Sequence, residues 1–377
     1  MRIYFHLWLI VYLWLLCSAC VKDDPFPPQP FSELPVEAVM QHYQVPGLSI
    51  ALIQDHRVAW VKHYGVKKQH SSDSVTDATL FQAASLSKPV ASIMAMQKAS
   101  SVPIDPEADV NQYLRSWTLT AEKSSYGTVS LANLLSHTGG VNISGFPGYP
   151  AGQQVPSLRA ILQGEAPATN PPIAVTDPPG KRFAYSGGGF CVVQQLLADI
   201  DSRSFADIAQ QDIFAPLGMN HSFFEQPLDT QRIAQAASGH YQDGEPIEGD
   251  FFVYPELAAG GLWTTAEDMA TLLVAMQLAY QGTSQAMITS ATAQQMLTPY
   301  QNPIYGLGFY LDGEGEDIYF THNGNNIGFQ NNFVMHRQHG YGAVVFTNSD
   351  NGKHVIEKVL EALSLEYQWS NFPCDSP

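Results

Sequence analysis

A chain of 377 residues with 45% hydrophobic and 14% charged side chains carries enough apolar material for a sizeable core, which excludes a disordered protein. Its 35 acidic and 18 basic residues leave a formal charge of −17. A chain so acidic repels phosphate backbones, which argues against nucleic acid as a partner.

The first 19 residues are predicted to be an export signal. Arg2 gives a positive start, an apolar run reaches Leu16, and Ser18-Ala19 form a small-residue exit. The run is shorter than the ~20 residues of a spanning helix. Cys20 follows Leu16-Cys17-Ser18-Ala19, a stretch that resembles a bacterial lipobox with Cys17 where leucine is usual. Lipidation of Cys20, membrane anchoring through it and a periplasmic or cell-envelope location are therefore expected. An ordinary cleaved signal is the alternative. Residues 20–35, with Pro25, Pro27, Pro28 and Pro30, are predicted to be a stiff, extended linker.

One folded domain is expected over 36–370, with a short tail at 371–377. Residues 48–54 and 57–65 are β-rich and separated by Asp55-His56, which predicts a hairpin. Pro89 is tolerated only in a first helical turn, so the apolar pattern of 86–99 predicts a helix beginning near Ser85. Further helices are predicted over 130–137, 190–200, 204–213, 265–279 and 354–368. Short β-rich runs fill 304–348. A hairpin at one end and strands at the other predict one sheet closed by distant parts of the chain, with a helical insertion between them. Of the four cysteines, Cys191 and Cys374 lie beyond the export segment, and the sequence leaves their pairing open. The 12 histidines include no His-Glu-x-x-His, and His336 and His339 flank a predicted turn, so no metal site is expected.

Three short motifs carry chemistry. In Ser85-Leu86-Ser87-Lys88, helical spacing puts Lys88 on the same face as the Ser85 hydroxyl, where a neutral amine can take its proton. Tyr185-Ser186-Gly187 offers a phenol that, with a lowered pKa, can relay a proton. His322-Asn323-Gly324 ends a β-rich run. Gly324 would let a substrate approach the backbone, and the N–H groups of Ser85 and Asn325 are candidate oxyanion donors.

Taken in this order, the motifs resemble the penicillin-recognising serine hydrolases: class C β-lactamases, D-alanyl-D-alanine carboxypeptidases and related esterases. Their pattern is Ser-x-x-Lys, then Tyr-x-Asn, then Lys-Thr-Gly or His-x-Gly. Val45-Pro46-Gly47, the segment Leu134-Leu135-Ser136-His137-Thr138-Gly139-Gly140, Pro216-Leu217-Gly218-Met219 and Gly260-Gly261-Leu262-Trp263-Thr264-Thr265 extend the resemblance over about 36–370. His137 and its glycines are expected to form a structural turn. The resemblance implies an α+β fold: an antiparallel sheet flanked by helices, plus a mainly helical second domain, with the site between them. It also implies two-step acyl transfer through Ser85, Lys88 and Tyr185, with Tyr185 as the base of deacylation. His322, Asn323, Gly324 and Asn325 would bind substrate and oxyanion, and no cofactor is required.

Two departures bear on the substrate. Gly187 stands where the family often has asparagine, and His322 stands where a lysine would hold a substrate carboxylate. An esterase or amidase acting on a small molecule or short peptide is thus expected ahead of a β-lactamase or D-alanyl peptidase. A binding protein of the same fold that lacks activity is the remaining alternative, and the intact Ser85, Lys88 and Tyr185 count against it.

Overall fold

The computed structural model describes residues 24–373. The predicted export segment, Cys20 and Cys374 lie outside the described residues.

Strands β1 (Gly47–Gln54) and β2 (Arg57–Gly65) form the predicted hairpin. Its two-residue loop, Asp55-His56, takes φ of 50° and 59°, the left-handed pair that matches the twist of the flanking strands. A short β3 (Phe81–Ala84) precedes the Ser-x-x-Lys motif and pairs with β4 (Leu262–Thr264) as a separate two-stranded sheet. Neither of these two strands is visible as a pattern in the sequence. The C-terminal runs resolve into β5 (Tyr310–Glu314), β6 (Asp317–Asn326), β7 (Phe329–His336) and β8 (Gly342–Thr347). The main sheet is antiparallel throughout, in the order β2-β1-β8-β7-β6-β5. The N-terminal hairpin thus closes onto the last strand, as expected from the sequence.

Alternation in β1 divides the core. Leu48, Ile50 and Leu52 face α1 (Val36–His42) and the C-terminal helix Gly352–Glu366, against Val355, Val359 and Leu363. Ala51 and Ile53 face the other side. There one continuous apolar cluster joins the sheet to α2 (Ser87–Ser101), α3 (Leu131–Leu135), α4 (Gly187–Asp201) and α5 (Ala266–Tyr280). The helical part therefore shares the core of the sheet. The C-terminal helix is α6.

Three local expectations need correction. The helix predicted over 130–137 stops at Leu135, because His137 turns into the left-handed region at φ 57°. The helix of 204–213 is α-helical only to Ala209, and a wide turn carries on to Phe214. Residues 24–35, expected to be an extended linker, are laid onto the domain. Asp24 pairs with Lys358, Phe31 stacks on Trp60 at 5.5 Å, and the Phe31 N–H donates to the Ala362 carbonyl at 3.1 Å. Among the described residues, no helix is long and apolar enough to cross a membrane.

Candidate active site

Ser85 lies just outside the helix that was predicted to begin with it. Ala84 adopts φ 53°, a conformation a side chain rarely takes, and the chain turns sharply there from β3 into α2. The side chain between the two motif residues braces this turn. Ser87 Oγ donates to the Ala84 carbonyl at 2.6 Å and accepts the Leu262 N–H at 3.0 Å. Ser85 is thereby held at the edge of the buried layer, half-exposed.

Lys88 is 2% exposed. Its Nζ lies 2.6 Å from the Ala259 carbonyl and 2.9 Å from Ser85 Oγ. A carbonyl only accepts, so Nζ donates to Ala259. In the neutral amine the lone pair is then free to take the Ser85 proton. Burial pushes the Lys88 pKa down from its ordinary value to about 7. The Tyr185 ring lies 4.8 Å from Nζ. Burial of the Tyr185 hydroxyl raises its pKa, and the neighbouring Ser85 side chain, which favours ionisation, offsets this only in part. The expectation of a lowered phenol pKa is therefore corrected: desolvation of a buried phenolate outweighs the serine contact. Ser85, Lys88 and Tyr185 come together as one cluster.

The third motif divides. The His322 side chain is buried beside Tyr185, with ring centres 6.2 Å apart. Its Nδ1 donates to the Asn323 carbonyl at 2.7 Å, so its Nε2 accepts from the Tyr305 hydroxyl at 3.1 Å. Burial, with Lys88 nearby, pushes its pKa down to about 3, and the ring is neutral. The Asn323 side chain turns to the opposite face of β6. There its Oδ1 accepts from Asn332 Nδ2 at 2.5 Å beside a cavity of about 170 Å³ under α6. The alternation of β6 sends 322 and 323 to different faces, and Asn323 is not a side chain of the Ser85 site.

Gly324 is needed by the protein's own backbone. A Cβ there would sit 2.2 Å from the Ala83 carbonyl and 2.8 Å from Leu86 Cδ1. The expectation that this glycine admits substrate is replaced by a tighter constraint: β6 runs directly against the turn that carries Ser85. Strand β5 pairs with β6 only up to Thr321, and beyond that point β6 passes beside residues 83–86 with Asn325 exposed. Gly324→Ala is expected to force β6 and the turn apart. The overpacking costs about 1–3 kcal/mol and slows labelling of Ser85. Denaturant midpoints and labelling rates measure both, and unchanged labelling would show that strand and turn are not coupled.

Residues outside the three motifs complete the site. His137, Tyr305, Tyr310 and the Ala259 carbonyl surround the Tyr185–Lys88 pair, and their only sequence trace was the family-like segments around 137 and 260. At Gly187 an added Cβ would meet the Ser144 carbonyl at 3.1 Å and the Phe146 ring at 3.2 Å. The space beside an asparagine at this position is therefore already occupied.

Elsewhere, Asp317, His336 and His339 bring ligand atoms within 4.8 Å of one another. His336 Nδ1 accepts the N–H groups of Gln338 at 3.0 Å and His339 at 2.9 Å, which leaves the ring proton on Nε2, the atom facing Asp317. A nitrogen that keeps its proton does not ligate a cation, so the cluster acts as a clamp on the β7–β8 turn.

Comparison with known proteins bears on the fold and the family. A β-lactamase from Pseudomonas fluorescens is 27% identical over 212 residues, which is 56% of this chain and 54% of that protein. The chain thus matches little more than half the length of that relative. The octameric penicillin-binding protein homologue from Pyrococcus abyssi superposes with a TM-score of 0.71 at 18% identity, over 88% of this chain and 76% of that one. The D-alanine carboxypeptidase AmpC from Burkholderia cenocepacia gives 0.69 at 19% identity, over 87% and 95%. At these identities the two structures establish the fold. The family model described as Beta-lactamase matches residues 35–366. This chain belongs to the Beta-lactamase family, the penicillin-recognising serine hydrolases that include β-lactamases and D-alanyl-D-alanine carboxypeptidases.

Proposed function

We propose that the protein hydrolyses an ester or small amide through an acyl-enzyme on Ser85. The observation that carries this reading is Lys88 Nζ, buried and set between Ser85 Oγ and the Ala259 carbonyl. Neutral Lys88 takes the Ser85 proton as Oγ bonds to the substrate carbonyl carbon. Backbone N–H groups at the 83–86 turn and along β6 are the candidate oxyanion donors. When the tetrahedral intermediate collapses, the proton on Lys88 passes through the Tyr185 hydroxyl to the leaving group. Water then attacks the acyl carbon and its proton returns along the same path. Because burial raises the phenol pKa, Tyr185 serves as a conduit and Lys88 as the base, which revises the role of Tyr185 in deacylation.

Two features favour an ester or small amide over a β-lactam or D-alanyl peptide. Gly187 offers no side-chain amide, and Phe146 and the Ser144 carbonyl close the space beside it. His322 is neutral and offers no fixed charge to a substrate carboxylate. The sequence of the first 20 residues supports export and anchoring through Cys20 as part of the same proposal.

The test is intact-protein mass spectrometry after exposure to a fluorophosphonate, with Ser85→Ala alongside. One adduct, absent in the variant, is expected. No adduct on folded wild-type protein would replace this reading with that of a binding protein. Rapid turnover of several β-lactams would instead return the substrate to the classes named by the relatives.

A further inference from the structure

His137 was expected to belong to a structural turn. Its surroundings give it a more particular task. The residue holds the chain on both sides of Tyr185. The His137 carbonyl accepts the Ala184 N–H at 2.8 Å, and His137 Nδ1 accepts the Ser186 N–H at 3.0 Å. Between these two anchors the imidazole lies against the Tyr185 ring, with centres 4.2 Å apart and planes at 34°. Phe190 at 5.3 Å and Tyr305 at 4.9 Å pack against the same imidazole. The side chain is 1% exposed.

We propose that His137 is the positioning residue of Tyr185, acting as a neutral Nε2–H imidazole whose Nδ1 grips the Ser186 amide and so fixes the backbone that carries the phenol. The inference rests on the reading of Tyr185 as proton conduit. The tautomer follows from the geometry. Nδ1 faces an N–H donor, so it cannot carry a proton itself, and the ring proton sits on Nε2. Protonating the ring would set two donors against each other and release the Ser186 amide. The other titratable groups around the imidazole are Lys88 on α2, Tyr185 and Tyr305 beside it, and His322 on β6. Burial, Lys88 and His322 all disfavour the imidazolium, so the grip holds wherever Lys88 can work as a base.

Two substitutions separate gripping from packing. In His137→Asn the side-chain oxygen falls where Nδ1 was and can accept the Ser186 N–H, and asparagine tolerates the φ of 57°. His137→Phe keeps a ring and removes the acceptor. Acylation is followed by burst kinetics with a chromogenic ester and by fluorophosphonate labelling, and folding by thermal melts. The phenylalanine variant is expected to lose roughly tenfold to a hundredfold in acylation rate with KM little changed, from a displaced phenol and a stranded buried amide. The asparagine variant is expected to stay within about threefold of wild type. Equal rates in the phenylalanine variant and wild type would overturn the proposal, as would losses in both variants that simply follow their melting temperatures. An independent readout is the long-range nitrogen–proton correlation spectrum of histidine-labelled protein, which should show the Nε2–H tautomer down to about pH 5. A protonated or Nδ1–H ring there would also overturn it. Wild-type protein that is never acylated at Ser85 would instead defeat the functional reading, while the tautomer measurement would still decide the role of His137.

Discussion

Lys88→Met is expected to reduce acylation of Ser85 by roughly a thousandfold while leaving the protein folded. Methionine fills nearly the same volume and needs no hydrogen bonds, but it cannot take the serine proton. The wild-type rate should also rise with pH through about 7 as Lys88 loses its proton. Glu256 complicates this limb, because burial raises its carboxyl to about 7 as well and it lies three residues before the carbonyl that holds Lys88. In Glu256→Gln the limb persists if it belongs to Lys88 and vanishes if it belongs to the acid. Stability gives a second check on the lysine. Its folded pKa lies below the unfolded value, so the unfolded chain binds the proton first as pH falls from 10.5 toward 7. The wild type loses stability across that window, and below 7 the loss is complete. The stability of Lys88→Met relative to wild type should therefore be greatest at pH 6 and shrink toward pH 10. A difference that does not change with pH would mean that Lys88 is not a desolvated base. Full activity in the variant would remove it from the mechanism.

Tyr185→Phe is expected to lower turnover of a chromogenic ester by roughly 10²–10³-fold, the usual range for a lost proton-transfer group. The ring remains and keeps its packing on His137, so melting should change little. The more informative quantity is where the loss falls. A conduit serves both the leaving group and the returning water. Acyl-enzyme should therefore accumulate to a mass-detectable adduct with an activated ester, whose leaving group needs little help from a proton. With a poor leaving group, acylation itself should slow. A loss of equal size in both steps for both esters would indicate that the hydroxyl only orients Ser85. No loss in either would assign the proton transfer to Lys88 alone.

The sequence carried much of this. β-rich runs and the Asp55-His56 pair located the hairpin and the C-terminal strands, because those strands are dense in β-branched and aromatic residues and are broken by turn residues. Ser85, Lys88 and Tyr185 were legible because helical spacing and a shared motif order mark them. The rest depended on distant pairings. Ser85 appeared to open a helix because the pattern of α2 runs up to it. The turn at Ala84 exists only because β3 pairs with β4, a strand almost 180 residues away in the chain. Gly324 looked like an opening for substrate, and it is in fact the point where β6 meets Ala83. Asn323 looked like part of the site because it lies between His322 and Gly324, and the side-chain alternation of a strand carries it to the far face. His137 was passed over because its contacts with both sides of Tyr185 span nearly 50 residues.

The packing of residues 24–35 sets how the domain would stand on a membrane. A lipid on Cys20, as proposed, would be joined to Asp24 by four backbone steps, a reach of roughly 14 Å. A domain of this length has a radius of gyration of roughly 20 Å. So short a leash would suppress tumbling. The bilayer would lie against the α1 and α6 side, where Asp24 meets Lys358. Ser85 belongs to the opposite side of the main sheet. With such an anchor the main sheet would stand between the lipid surface and Ser85.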